Sequence, residues 1–307
     1  MSARGKILIV RGGAIGDFIL TLPALAALRI HFPQTQIEVL GYAHIAQLAL
    51  VGGLADAVRS IEARPMAGFF ARGGELSPEL SHYFNGFHLI LSYLYDPDEI
   101  FQTNVARCTK AQFIAGPHRP NEQQATHATE VFLKPLERLA IFGADPTPQL
   151  IRGACPPQPS TLHPLAVHPG SGSERKNWPP EKWLELIQNL LATSNVNVLL
   201  IGGEAEGNRL NQLASRLPPG RIQLAQSLPL AQLALRLQSC KAFVGHDSGI
   251  SHLAAAVGLP GLVLWGDTNE AIWRPKNARV QLLRGTRGLE DISVRHVSEQ
   301  LQRLLVP

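Results

Sequence analysis

The sequence predicts an α/β protein of two domains, each a parallel sheet flanked by helices. Three observations predict it. The chain has 307 residues, beyond the size at which a single core usually stops growing. Short runs rich in Ile, Val and Leu alternate with segments of helical spacing, the pattern of parallel βα layers. The alternation breaks once, over the proline-rich stretch Asp145–Pro164, and then restarts. That stretch reads as a linker. It sets the expected boundaries at residues 1–155 for the first domain and 160–307 for the second.

In the first half, Lys6–Val10 (KILIV) reads as a buried strand and Arg11–Asp17 as a glycine turn. Phe18–Phe32 has helical spacing, with Pro23 near its first turn. Gln36–Gly41 is the next strand, followed by a helix around His44–Val51. Phe87–Ser92 and Ala111–Gly116 are further strand candidates. After the linker, Leu165–His168, Val196–Ile201, Ala242–Gly245 and Leu262–Trp265 read as strands. Trp183–Leu191, Ala205–Leu217, Ser251–Val257 and Val297–Leu305 read as helices. Two Rossmann-like units facing one another would bind ligand outside the carboxyl ends of their strands. The active site is therefore expected in the cleft between the domains.

Composition excludes several function classes. Hydrophobic residues are 45% and charged residues 17%, as in a soluble globular protein. No apolar run reaches the roughly 18 residues of a membrane span. The N-terminal apolar run, Ile7–Val10, is too short for a signal peptide, so a cytoplasmic protein is expected. Cys108, Cys155 and Cys240 stand far apart, at no metal or redox spacing, and read as free thiols. The net charge of +4 comes without a dense basic run, which argues against nucleic acid. A mildly basic face suits a phosphorylated substrate or peripheral contact with an anionic membrane.

Three segments carry chemistry. In Arg11–Asp17 (RGGAIGD), glycines allow a ligand close to the backbone. Asp17, at the start of a helix, is either a capping carboxylate or a general base held ionised by backbone amides. Arg11 stands where a dinucleotide fingerprint wants its first glycine, so a nicotinamide cofactor is disfavoured. In His168–Pro179 (HPGSGSERKNWP), the turn Ser171-Gly172-Ser173 can present amides to phosphate, and Arg175 and Lys176 add positive charge; a solvated loop is the plain alternative. In Val244–Pro260, the helix start after Asp247, Ser248 and Gly249 is an anion site. There Asp247 is a ligand or a cap, and His252 a ligand or a packed core residue. No metal is expected, because Asp247 and His252 lack ligand spacing. A weaker element is the Gly202-Gly203 turn, which would bring Glu204 or Glu206 near a ribose; a surface helix is the plain alternative. Asp267 and Thr268 either meet the sugar or cap the next helix.

RGGAIGDFILTLPAL, HPGSGSERKNWP and HDSGISHLAAAVGLP, in this order, resemble the heptosyltransferases of glycosyltransferase family 9. The resemblance runs over nearly the whole chain. It implies the GT-B fold, with two Rossmann-like domains, parallel sheets and a central cleft. The first domain would take the acceptor and the second the nucleotide sugar, and the last helix of GT-B proteins commonly packs back on the first domain. It implies an inverting, metal-independent transfer of a sugar, heptose from ADP-heptose, onto a lipopolysaccharide-type or other envelope glycan. Asp17 would be the catalytic base. Lys176 would bind the donor diphosphate, and Asp247, Ser248, Gly249 and His252 would surround the donor sugar and phosphates, beside the Ser171-Gly172-Ser173 turn read above from its own residues. On the residue reading above, Gly202, Gly203 and Glu206 would face the nucleoside. No cofactor is implied beyond the donor itself. The chain departs from the family's frequent GPTD by placing Asp267 where the proline stands.

Overall fold

The computed structural model describes residues 5–150, 163–203 and 207–305. The chain divides into two compact units, Met1–Leu150 and Ile151–Pro307. The proline-rich stretch from 151 to 162, with Cys155, lies outside the described residues.

The first unit carries strands β1 (Lys6–Arg11), β2 (Gln36–Gly41), β3 (Ala57–Ser60), β4 (Leu89–Ser92) and β5 (Gln112–Ala115). They form one sheet in the order β3-β2-β1-β4-β5, and every pairing is parallel. Its helices are α1 (Ile15–His31), α2 (Ala43–Ala46), α3 (Leu48–Val51), α4 (Pro78–Asn85), α5 (Ile100–Ala106) and α6 (Ala128–Leu133). Leu8, Ile9 and Val10 on the central strand β1 are fully buried, which is why this run is apolar without alternation. Helix α1 begins at Ile15, earlier than its apolar spacing suggests, so Pro23 falls in its interior. The carbonyl of Ile19 then lacks its i+4 amide. The expected helix over 44–51 is two short helices meeting at Gln47.

The second unit carries β6 (Leu165–His168), β7 (Val198–Gly202), β8 (Ile222–Gln226), β9 (Ala242–His246), β10 (Gly261–Trp265) and β11 (Val280–Arg284). Their order is β11-β10-β9-β6-β7-β8, again all parallel. Helices α7 (Pro180–Thr193), α8 (Arg209–Ser215), α9 (Leu230–Gln238), α10 (Gly249–Ala256), α11 (Glu270–Trp273) and α12 (Val294–Leu305) cover it. In each sheet the chain reverses its direction of winding at one place, between β1 and β4 and between β6 and β9. Loops leaving adjacent strands diverge there and open a crevice at the carboxyl edge.

One core of the second unit joins β6, β7, β9 and β10 to α7 and α12. Trp178 and Trp183 are fully buried in it and meet edge to face at 5.2 Å. Helix α12 is amphipathic. Val294, Val297 and Leu301 face inward, while Arg295 and Glu299 pair at 2.8 Å outside. Its packing partners in the second unit include α7, β9 and β10. Cys108 and Cys240 are free, and burial pushes the Cys240 thiol up to about 12. Among the described residues no helix is long and apolar enough to cross a membrane.

Leu301 has no exposed surface, and its removal leaves a void that α12 cannot close. Leu301→Ala is expected to destabilise the second unit by about 2–4 kcal/mol, measured by urea unfolding followed through tryptophan fluorescence.

Candidate functional site

The residues that the sequence singles out lie at and just beyond the carboxyl ends of β1, β6 and β9. In the first unit, β1 ends on Arg11, which is buried to 3% exposure. Its guanidinium donates to the carbonyls of Tyr93 at 3.3 Å, His118 at 2.9 Å and Asp17 at 3.1 Å. The cation also lies 4.5 Å from the ring centre of Phe132. Burial lowers the Arg11 pKa, and nearby Asp17 and Tyr93 oppose that shift. A buried cation of this kind ties the start of α1 to the chain beyond β5.

Asp17 occupies the first turn of α1. Its Oδ2 accepts the Ala14 amide at 3.0 Å, and its Oδ1 stands 4.0 Å from Arg11. The side chain keeps 28% of its surface exposed. Asp17 therefore satisfies a helix-end amide and still reaches solvent, so its capping role and a proton-accepting role are compatible. Gly13 permits this arrangement. Its φ is +94°, and an added Cβ would stand 2.9 Å from Asp17 Oδ2.

In the second unit the site grows from the ends of β6 and β9. Each strand ends on a buried histidine, His168 and His246. The Trp178 amide donates to His246 Nε2 at 2.7 Å, which leaves Nδ1 to donate to the Gly170 carbonyl at 3.1 Å. Both ends of the loop after β6 are thereby fixed to β9. Burial pushes both imidazoles down to about 4, so they are neutral at pH 7. Inside the loop, Ser171 closes the turn on itself. Its hydroxyl donates to the Ser173 carbonyl at 2.6 Å and accepts the Ser173 amide at 3.2 Å. Lys176 follows on a single 3-10 turn.

Lys176 Nζ meets Asp247 Oδ2 at 2.6 Å, with side-chain exposures of 43% and 10%. The Thr268 hydroxyl donates to the same oxygen at 2.5 Å. Asp247 is thus not the cap of α10. Ser248 is, its hydroxyl accepting the Ser251 amide at 3.4 Å. Ser251 is buried and donates to the His246 carbonyl, and His252 is buried beside it on the first turn. The start of α10, where the helix dipole is positive, follows directly on the carboxyl end of β9.

Lys176, Thr268, Asp267 and Arg287 line a cavity of about 710 Å³. A second cavity of about 400 Å³ lies against Ser171, Gly172, Trp178 and Trp183. The structure therefore brings Ser171, Gly172, Ser173, Lys176, Asp247, Ser248, Gly249 and His252 to one edge of one sheet. Gly202 ends the neighbouring strand β7, with Gly203 after it; Glu204 and Glu206 lie outside the described residues. Among the described residues, no three His, Cys, Asp or Glu side chains gather as a metal set. Sequence reasoning missed Arg11 and His246 as organisers of the site. A signal existed: the two central strands of the second sheet, β6 and β9, end on histidine just before a glycine- or serine-bearing turn.

Two outcomes follow from this geometry. Gly13→Ala is expected to displace the Asp17 carboxylate and to destabilise the first unit by about 1–3 kcal/mol, read from a urea transition and, for the displacement, from a crystal structure. For His246, the folded pKa of about 4 lies below the ordinary value near 6.5, so the unfolded chain binds the extra proton first. Stability is full above pH 6.5 and declines as the pH falls toward 4. A denaturation series across that window should show the slope, and His246→Asn should make it shallower.

Comparison with known proteins places the fold and the second unit among described families. The family model "Glycosyltransferase family 9 (heptosyltransferase)" matches residues 149–300. Lipopolysaccharide heptosyltransferase 3 of Escherichia coli K12 is 23% identical over 285 residues, 85% of this chain and 82% of that one. Lipopolysaccharide heptosyltransferase 1 of the same strain is 34% identical over 98 residues, 32% of this chain and 30% of that one. An Escherichia coli heptosyltransferase solved with ADP-2-deoxy-2-fluoro heptose superposes with a TM-score of 0.74 at 21% identity, covering 97% of this chain and 99% of that one. The two parallel-sheet units are those of the GT-B fold. On these grounds residues 149–300 carry the domain of glycosyltransferase family 9, the heptosyltransferases, and the chain is a glycosyltransferase.

Proposed function

We propose that this glycosyltransferase moves heptose from ADP-heptose, with inversion, onto a lipopolysaccharide-type or other envelope glycan, working at the inner face of the cytoplasmic membrane. The observation that carries the reading is the meeting of Lys176, Asp247 and the capped start of α10 at the carboxyl edge of the second sheet. A cation, a carboxylate and a helix N-terminus together suit a sugar diphosphate, whose anionic and hydroxyl-bearing ends lie side by side. The names of the relative matched over 85% of this chain and of the ligand in the similar structure support heptose and ADP.

In this reading the acceptor hydroxyl attacks the anomeric carbon from the face opposite the diphosphate, and Asp17 takes its proton. The bond to the leaving phosphate oxygen breaks as the new glycosidic bond forms. Charge grows on the departing ADP. Lys176, the amides of the Ser171–Ser173 turn and the N-terminus of α10 stabilise it. Ser248, Gly249 and His252 flank the phosphates and the sugar. Gly202, Gly203 and Glu206 are assigned to the nucleoside. Arg11 holds the segment that carries the base.

Asp17→Asn is expected to bind donor within twofold of the wild type and to lose transfer by about a hundredfold or more, measured by ADP release in the presence of acceptor. Full activity would remove Asp17 as base. Lys176→Ala is expected to weaken ADP binding by about tenfold or more, measured by calorimetric titration. A thermal-shift panel of ADP-, GDP-, UDP- and dTDP-sugars tests the donor; preference for a UDP-sugar would overturn ADP-heptose.

A further inference from the structure

Asp247 is held in an asymmetric way. Its Oδ2 takes both the Lys176 ammonium at 2.6 Å and the Thr268 hydroxyl at 2.5 Å. Its Oδ1 makes no hydrogen bond or ion pair among the described residues. The loop that bears Thr268 is fixed from both sides. The indole of buried Trp265 donates to the Thr268 carbonyl at 2.7 Å. Asn269, the next residue, caps α11 by accepting the Ala271 amide at 3.1 Å. The hydroxyl of Thr268 is therefore delivered to Asp247 by a rigid turn.

The two partners of Oδ2 differ in what a donor does to them. An incoming diphosphate attracts Lys176 strongly, because it carries more charge than one carboxylate and offers several oxygens. Thr268 is neutral and has no such competitor. Once Lys176 turns to the phosphate, Thr268 is the contact that keeps the carboxylate from rotating about its Cα–Cβ and Cβ–Cγ bonds. A carboxylate only accepts, so its remaining oxygen suits a sugar hydroxyl and repels a phosphate oxygen.

We propose that Thr268 is a positioning residue for donor recognition. It holds Asp247 so that Oδ1 accepts a hydroxyl of the transferred sugar when Lys176 moves to the diphosphate. The inference rests on the second unit being the donor site. It assigns separate tasks to the ion pair: Lys176 reads the diphosphate and Asp247, aimed by Thr268, reads the sugar.

The test compares ADP with ADP-heptose on the full chain carrying T268V or T268S, by calorimetric titration and by donor KM and kcat. Valine keeps the shape and removes the donor; serine keeps the donor. In T268V, affinity for ADP should stay within about twofold, while the advantage of ADP-heptose over ADP should fall by about tenfold or more. T268S should recover most of that advantage. Equal losses for ADP and ADP-heptose would mark a merely structural residue and overturn the proposal. So would an unchanged ratio in T268V, or a serine variant no better than valine. If the wild type shows no preference for ADP-heptose over ADP, the heptose reading fails first. The same ratio is then measured for whichever nucleotide sugar binds best in the panel above. The absence of any nucleotide sugar that binds more tightly than its nucleotide would also overturn the role given to Thr268.

Discussion

The imidazole of His246 decides the shape of the second unit's working edge. It stands at the end of β9 with no exposed surface and bonds the loop after β6 at two places, the Gly170 carbonyl and the Trp178 amide. Buried polar groups hold a fixed geometry only when each finds its partner. Here the ring uses both nitrogens, which sets its tautomer and its plane. The loop so fixed carries Ser171, Ser173 and Lys176. The strand that fixes it carries Asp247 as its next residue. Cation and carboxylate meet because one ring joins their two loops.

The first unit solves a similar problem with a charge instead of a neutral ring. Arg11 is buried among the carbonyls of Tyr93, His118 and Asp17 and the face of Phe132. A guanidinium offers several donors in a fixed plane, so one side chain can anchor three segments. Its cost is desolvation, visible in its lowered pKa. The difference suits the two sites. The loop of the second unit surrounds the Lys176 ammonium, and a second buried cation there would compete with it for Asp247. The turn of the first unit surrounds a carboxylate, which a buried cation supports.

The fold was legible where strands are buried on both faces. β1, β6, β9 and β10 are continuous apolar runs, and their limits agree with the sequence reading to within a residue or so. β3, β8 and β11 were not found. They lie at sheet edges, and their residues Ala57–Ser60, Ile222–Gln226 and Val280–Arg284 mix polar and apolar side chains because one side meets water. The loops of the candidate site were legible as glycine, serine and charged residues directly after a strand, although the same residues also serve as caps or solvated turns. Its internal wiring was not. The choice of Ser248 over Asp247 as cap depends on backbone angles at the strand end. The meeting of Thr268 with Asp247 depends on strands β9 and β10 being neighbours, which no local pattern reveals. The reading of Pro23 as a first-turn residue failed because α1 starts at Ile15, upstream of its apolar spacing, where the Asp17 side chain accepts the Ala14 amide.

The bond from the Trp178 indole to the Ile292 carbonyl, at 3.1 Å, links the loop after β6 to the segment leading into α12. Lys182, near the start of α7, donates to the same carbonyl at 3.0 Å. Two residues just after the first strand of the second unit thus depend on a partner more than a hundred positions later. During synthesis, a chain that has emerged as far as β9 already holds Lys176, His246 and Asp247. It still lacks Ile292, Thr268 and the helix that closes the core. Its two tryptophans would then be exposed to water with part of their packing absent. The second unit is therefore built to complete its site late and in one step, whereas the first, whose Arg11 contacts all fall before residue 133, can settle while the rest is being made.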